Sequence, residues 1–112
     1  YVSEIESMIL NLRNKLAKKD FYTASLYIKL EEIESANIYY LSIIDNYYDT
    51  DYVNDALINM TLLCFINSTD AKEFLKSHKN NFLTIDDYEN AKILIKNISP
   101  VEDYDYYINL LK

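Results

Sequence analysis

The sequence contains no glycine, one proline and one cysteine among its 112 residues. Glycine is required by the phosphate loops of nucleotide enzymes, the nucleophile elbow of hydrolases and most two-residue hairpin turns, because their backbone angles are costly for other residues. Its absence disfavours nucleotide enzymes and all-β folds. A single cysteine, Cys64, can neither close an internal disulfide nor build a multi-cysteine zinc site.

Positive charge is also scarce, with 11 basic against 18 acidic residues and a net charge of −7. An acidic chain repels phosphate backbones, so we expect no nucleic-acid partner. No apolar run approaches the ~20 residues that a membrane helix needs. Because the chain begins at Tyr1, without a signal peptide or an initiator methionine, we expect a targeting segment to have been removed.

Apolar residues recur at helical spacing along the first 30 residues. Ser3 and Glu6 have the spacing of a capping box, which predicts a helix that starts there and continues to about Leu30. The apolar positions in the first half of this helix are Ile5, Met8, Ile9, Leu12 and Leu16. Intervals of three and four residues predict an amphipathic helix.

Polar turn clusters divide the remaining chain into shorter periodic segments. They predict a second helix from about Ile33, ended by the cluster at 48–51, and a third ended by the cluster at 67–70. N-cap residues predict the starts of the third and fifth helices at Asp51 and Thr84, the cluster at 67–70 is expected to cap the fourth, and a last helix follows Pro100. The prediction is a single all-α domain, residues 1–112, of antiparallel helix hairpins.

Small and aromatic residues alternate in a way typical of tetratricopeptide repeats, in which small residues lie where two helices cross. The first unit covers about residues 17–50, the second, less regular one covers 54–83, and C-terminal helices occupy 84–112. The matching positions are Ala24, Tyr27, Ala36 and Tyr40 in the first unit and Thr61, Cys64, Ala71 and Leu75 in the second. We interpret these units as degenerate repeats, with a generic helical bundle as the alternative.

One segment has a more specific likeness. Residues 12–22 read L-R-N-K-L-A-K-K-D-F-Y and continue through Ala24 and Tyr27 to a Y-Y-D-T turn at 47–50. They resemble the R-x-x-L-A-x-x-E-x-x-x-A-x-x-Y segment and the Y-P-D-T turn of the BamD family, lipoprotein subunits of the bacterial β-barrel assembly machinery. The resemblance covers about residues 10–83. The sequence departs from the family pattern at Asp20, Tyr39 and Tyr48.

The resemblance implies a shortened, non-enzymatic scaffold that docks onto periplasmic domains of the barrel-inserting subunit. It also implies a periplasmic location at the outer membrane and a lipid anchor on a cysteine ahead of Tyr1. Two alternatives stay open. One is an unrelated tetratricopeptide-type adaptor, and the other is a small-ligand-binding helical bundle or enzyme, which a polar pocket holding Asp20, His78 or the helix-end acids would favour.

The concave side of a tetratricopeptide hairpin is lined by its first helix, and this geometry nominates partner-binding residues. Counting from Ala17 places Phe21, Ser25 and Ile28 toward that groove. Ile58, Leu62 and Phe65 are their counterparts in the second unit. Tyr39 joins them because some members of the resembled family carry arginine there.

No catalytic, cofactor or metal site is predicted. His78 is the only histidine, so a His–His metal pair is impossible, and Cys64 lies on an apolar stripe where cysteine acts as a small hydrophobe. Acidic pairs fall at helix ends, where carboxylates cap backbone amides. The 12 tyrosines are the unusual feature. Several, such as Tyr22 and Tyr39, are spaced so that not all of them can point inward, and the exposed ones either anchor a protein interface or fill a wet outer layer.

Overall fold

The computed structural model describes residues 2–66 and 69–98, together with Asn109 and Leu111. It contains five α-helices and no strand in these residues, so the all-α prediction is confirmed. The helices are α1 (Val2–Lys29), α2 (Ile33–Asn46), α3 (Val53–Ile66), α4 (Ala71–Ser77) and α5 (Ile85–Lys96), with a 3-10 turn at Lys79–Asn81. Apart from Asn109 and Leu111, the helix predicted after Pro100 lies outside the described residues.

Two of the predicted N-caps are confirmed. The Asp70 carboxylate accepts hydrogen bonds from the backbone N–H groups of Lys72 and Glu73 at 3.0 and 3.2 Å, and the Thr84 hydroxyl accepts one from Asp87 N–H at 3.1 Å. The predicted start of α1 is wrong, because the helix already includes Val2 and Ser3 lies inside it. No residue there breaks a helix.

The turn between α1 and α2 closes without glycine. Glu31 has a φ of 62°, in the left-handed region. Its N–H donates to the carbonyl of Ile28 at 3.0 Å, and Glu32 N–H donates to the carbonyl of Tyr27 at 2.9 Å. These two bonds are the Schellman pattern, in which a left-handed residue, usually glycine, satisfies the last carbonyls of a helix. A glutamate therefore holds a backbone conformation that favours glycine.

Small residues let the helices approach one another. Ala17 and Ala24 of α1 and Ala36 of α2 are fully buried, as expected for close helix crossings. α3 packs against α2, and α4 and α5 pack against α3. The largest fully buried side chains are Tyr40, Ile28, Ile43, Leu57, Leu63 and Val53. The core is thus concentrated between the second half of α1 and the following two helices.

The two helices of the first hairpin differ in length by a factor of two. α1 has 28 residues and α2 has 14, so α1 is about 42 Å long and α2 about 21 Å. The first residue of α1 that is buried is Ala17. The N-terminal half of α1 therefore projects beyond the core, in a molecule whose longest dimension is 54 Å.

Candidate functional site

The residues considered for catalysis have structural partners and lie on different helices. His78, at the end of α4, places Nδ1 2.9 Å from the carbonyl oxygen of Phe74, and its ring stacks on the Phe74 ring at 4.2 Å between centroids. Asp20 on α1 accepts a hydrogen bond from the Ser42 hydroxyl at 2.9 Å. Among the residues that the structure describes, no group of three or more His, Cys, Asp or Glu could hold a metal ion.

Cys64 behaves as a packed thiol. Its Sγ lies 3.4 Å from the carbonyl oxygen of Met60, and burial raises the pKa of the thiol above its ordinary value. A thiol with a raised pKa carries little thiolate at neutral pH and is a poor nucleophile. The structure thus gives Cys64 a packing role.

The clefts also fail to bring the candidate catalytic residues together. One, of about 580 Å³ between α4 and α5, is lined by Lys72, Lys76, Lys92 and Lys96 over an apolar floor. Another, of about 440 Å³, lies beside Cys64. Neither is lined by Asp20 or His78. A third cleft, of about 580 Å³, is lined by the helix-end acid Asp49 together with Asp45, Asn80 and Asn81, and it too lacks Asp20 and His78.

Two of the predicted partner-binding residues are in the core. Ile28 is 1% exposed and Leu62 is 5% exposed, so neither can contact a partner in the folded chain, and the prediction is wrong for these two. The physical reason is the small size of the domain. The helix face expected to line a groove is needed to pack one hairpin against the next.

The other five predicted residues are partly buried. The Phe21 ring packs edge-on against the Tyr40 ring, with 5.8 Å between centroids, and at a tilt against the Tyr52 ring, with 5.7 Å between centroids. Ser25 donates its hydroxyl to the carbonyl of Phe21 at 3.1 Å. Tyr39 stacks on Tyr27, and Ile58 and Phe65 pack against the core. The structure does not join these residues into a single exposed surface.

The motif residues that carry the family resemblance contact one another. Arg13, the chain's one arginine, donates to Asp49 Oδ1 from Nε at 2.9 Å and from Nη2 at 2.7 Å, and Nη2 also donates to the Asn46 carbonyl at 2.8 Å. Its guanidinium lies 5.6 and 5.5 Å from the ring centroids of Tyr47 and Tyr48. We call this set of contacts the Arg13 clasp. It ties the middle of α1 to the α2–α3 turn.

Electrostatics and one further bond reinforce the clasp. The hydrogen bond from Arg13 lowers the pKa of the Asp49 carboxyl below its ordinary value. Asn14, the next residue of α1, accepts a hydrogen bond from the backbone N–H of Asp51 at 3.0 Å. These contacts join residues of α1 to the α2–α3 turn within the chain.

The projecting half of α1 has an exposed apolar face. Its six large side chains are between 40% and 71% exposed: Val2, Ile5, Met8, Ile9, Leu12 and Leu16. We call them the α1 stripe. At 3.6 residues per turn, the α1 stripe points roughly 110° around the helix from the buried Ala17, Ala24 and Ile28. It therefore points to the side of α1 and not toward α2.

Sequence reasoning found the spacing of the α1 stripe and missed its exposure. A helical period shows that one face is suited to burial and does not show which element covers it. One signal was available, because the predicted first helix was about twice as long as the second. Half of it had no partner in the predicted hairpin.

Two further findings bear on the role of the α1 stripe. Within the described ranges, no helix is both long and apolar enough to cross a membrane. Comparison of the chain with protein-family models, curated proteins and solved structures gives no match.

Proposed function

We propose that this protein is a non-enzymatic interaction module that binds another protein through the α1 stripe. The observation that carries the proposal is the exposure of six large apolar side chains on one face of one helix. Scattered exposed hydrophobic residues are normal on protein surfaces, but a contiguous apolar patch marks an interaction site.

The spacing and length of the α1 stripe favour a protein partner. Anchors three and four residues apart are the pattern by which an amphipathic helix binds a groove or another helix. An isolated helix of about 15 residues is only marginally stable in water, so the projecting half of α1 gains stability when its apolar face is covered. The partner is therefore expected to bury the α1 stripe along its length.

A more specific proposal names the partner. In it, the protein is a scaffold subunit of the outer-membrane β-barrel assembly machinery, lipid-anchored at the periplasmic face, which docks onto the periplasmic domains of the barrel-inserting subunit. Its support is the sequence resemblance over about residues 10–83, together with the helical fold. An unrelated tetratricopeptide-type adaptor would share the α1 stripe and bind a different protein.

The test is an affinity measurement between the full chain and those periplasmic domains. We compare Ile9→Glu, in the α1 stripe, with Ile38→Glu in α2, since Ile38 is also exposed, at 66% against 54% for Ile9. Loss of an interface anchor costs about 2 kcal/mol, so Ile9→Glu is expected to weaken binding about 30-fold, and Ile38→Glu is expected to leave it unchanged. Equal affinities of the two variants would contradict the role of the α1 stripe, and no binding by the wild type would contradict this choice of partner.

The groove predicted from the tetratricopeptide pattern can be tested in the same assay. Phe21→Ala or Phe65→Ala is expected to weaken binding more than Lys79→Ala if that groove contributes. Because Phe21 packs on Tyr40 and Tyr52, the melting temperature is measured beside the affinity. A folded Phe21→Ala variant with unaltered affinity rules out the groove.

A further inference from the structure

We propose that the α1 stripe pairs with the α1 stripe of a second copy of this chain, and that the two helices run antiparallel. This inference rests on the proposed function and names a partner for the same surface. Three observations support it: the spacing of the exposed residues, the distribution of charge along the helix, and the area available for burial.

The spacing is that of a two-helix seam. Val2, Ile5, Ile9, Leu12 and Leu16 are separated by three, four, three and four residues. This is the heptad pattern by which two helices interlock, with β-branched and leucine side chains at the seam. Met8 flanks the seam and extends its apolar area. The spacing therefore fits another helix of the same pattern, and a second copy supplies one.

Charge along α1 determines the orientation. Glu4 and Glu6 lie near its N-terminus, whereas Lys15 lies beside the last seam residue, Leu16, and Lys18 and Lys19 lie just beyond it. An antiparallel pair in which Ile9 of one copy packs against Leu12 of the other brings the acidic end of each helix beside the lysines of its partner. A parallel pair would put like charges side by side. Complementary charge selects orientation and register in helix pairs.

The area predicts a reversible dimer. Two α1 stripes bring twelve side chains together, each 40–71% exposed in the single chain, and cover on the order of 1,000 Å² in total. Stable complexes bury about 1,200–2,000 Å², so this interface lies at the weak end of the range. The dimer is thus expected to dissociate on dilution.

Sedimentation equilibrium of the full chain over a concentration series tests the proposal. We expect a mass that rises from 13.2 kDa toward twice that value, with an increase in helical circular dichroism as the projecting half of α1 becomes covered. Ile9→Glu should raise the dimer dissociation constant at least about 10-fold, and the matched Ile38→Glu should leave it within about two-fold. If the mass stays at 13.2 kDa up to a protein concentration of ~200 µM, which is well above a micromolar dissociation constant, the proposal is overturned.

Charge exchange tests the orientation. The double variant Glu4→Lys/Glu6→Lys leaves only positive charges in residues 2–19, and Lys15→Glu/Lys18→Glu makes the charges there mainly negative, with Arg13 and Lys19 unchanged. Each alone should dimerise more weakly than the wild type, and an equimolar mixture should form a heterodimer. If both variants self-associate as well as the wild type, the antiparallel arrangement is wrong.

The same variants separate this inference from the proposed function. A chain that stays monomeric but loses a different protein partner on Ile9→Glu would retain the proposed function and refute the homodimer. A chain that dimerises equally well with Ile9→Glu and Ile38→Glu would refute the use of the α1 stripe for self-association.

Discussion

Replacing Glu31 by glycine is expected to stabilise the protein. Glu31 holds a φ of 62° in the turn that ends α1, and its side chain is exposed. The left-handed conformation costs a residue with a Cβ about 1–2 kcal/mol, whereas glycine adopts it freely. Glycine also gains conformational freedom in the unfolded chain, and this entropy reduces the gain in stability by about 0.5–1 kcal/mol. The net expected increase in the free energy of unfolding is therefore about 0.5–1 kcal/mol.

Two control variants isolate the backbone effect from the charge. Glu31→Ala removes the carboxylate from the helix end but keeps the Cβ, so it should gain little. Glu32→Gly removes the neighbouring carboxylate where φ is −97°, a conformation that needs no glycine, and should destabilise. The order of stability is expected to be Glu31→Gly, then wild type together with Glu31→Ala, then Glu32→Gly.

Urea denaturation and thermal melting followed by circular dichroism measure this order. In a chain of this length, the gain in Glu31→Gly corresponds to about 2–4 °C in Tm. If Glu31→Gly is no more stable than Glu31→Ala, the left-handed backbone at residue 31 does not carry the cost assigned to it. That result would refute the reasoning even if both variants exceed the wild type.

Three further predictions concern the core, the Arg13 clasp and metal independence. Ala36→Arg should sharply lower the melting temperature, because a buried unpaired charge removes about 3–5 kcal/mol from a total stability of about 5–15 kcal/mol, while Ile38→Arg at an exposed position of α2 should change the melting temperature little. The lowered pKa of Asp49 means that the contribution of its carboxylate to stability is present at neutral pH and is lost as the pH falls through that pKa. In urea denaturation, the loss of unfolding free energy in Asp49→Asn should therefore be largest near pH 7 and shrink below about pH 4. A chelator should leave the circular dichroism spectrum unchanged, and loss of helix would show that a metal supports the fold.

Local signals in the sequence predicted the helices and several of their ends. Asp70 and Thr84 cap α4 and α5 as expected, because an N-cap depends on a side chain and backbone amides two or three residues away. The burial of Ala24 and Ala36 also agrees with the predicted crossing positions. The turn at Glu31 could not be predicted in the same way, since the usual sign of a left-handed helix end is a glycine and the chain has none.

Which side of each helix is covered could not be read from the sequence. Ile28 and Leu62 were expected in a groove and are buried, whereas Ile9 and Leu12 lie on an equally regular stripe and are exposed. All four have helical spacing. The difference arises from contacts between residues distant in sequence, which determine that α2 covers the second half of α1 and leaves the first half uncovered.

The Arg13 clasp links the covered and uncovered parts of α1. Arg13 lies between Leu12 and Leu16 in the chain, and its side chain reaches the α2–α3 turn, where it binds Asp49 and the Asn46 carbonyl. A helix held at this point cannot rotate about its own axis without breaking those bonds, so the direction of the α1 stripe relative to the core is set. A partner then meets an apolar face that is already oriented, which lowers the entropy lost on binding. The same residues that resemble a family motif thus act indirectly on the α1 stripe, the proposed interaction surface, by fixing the helix that presents it.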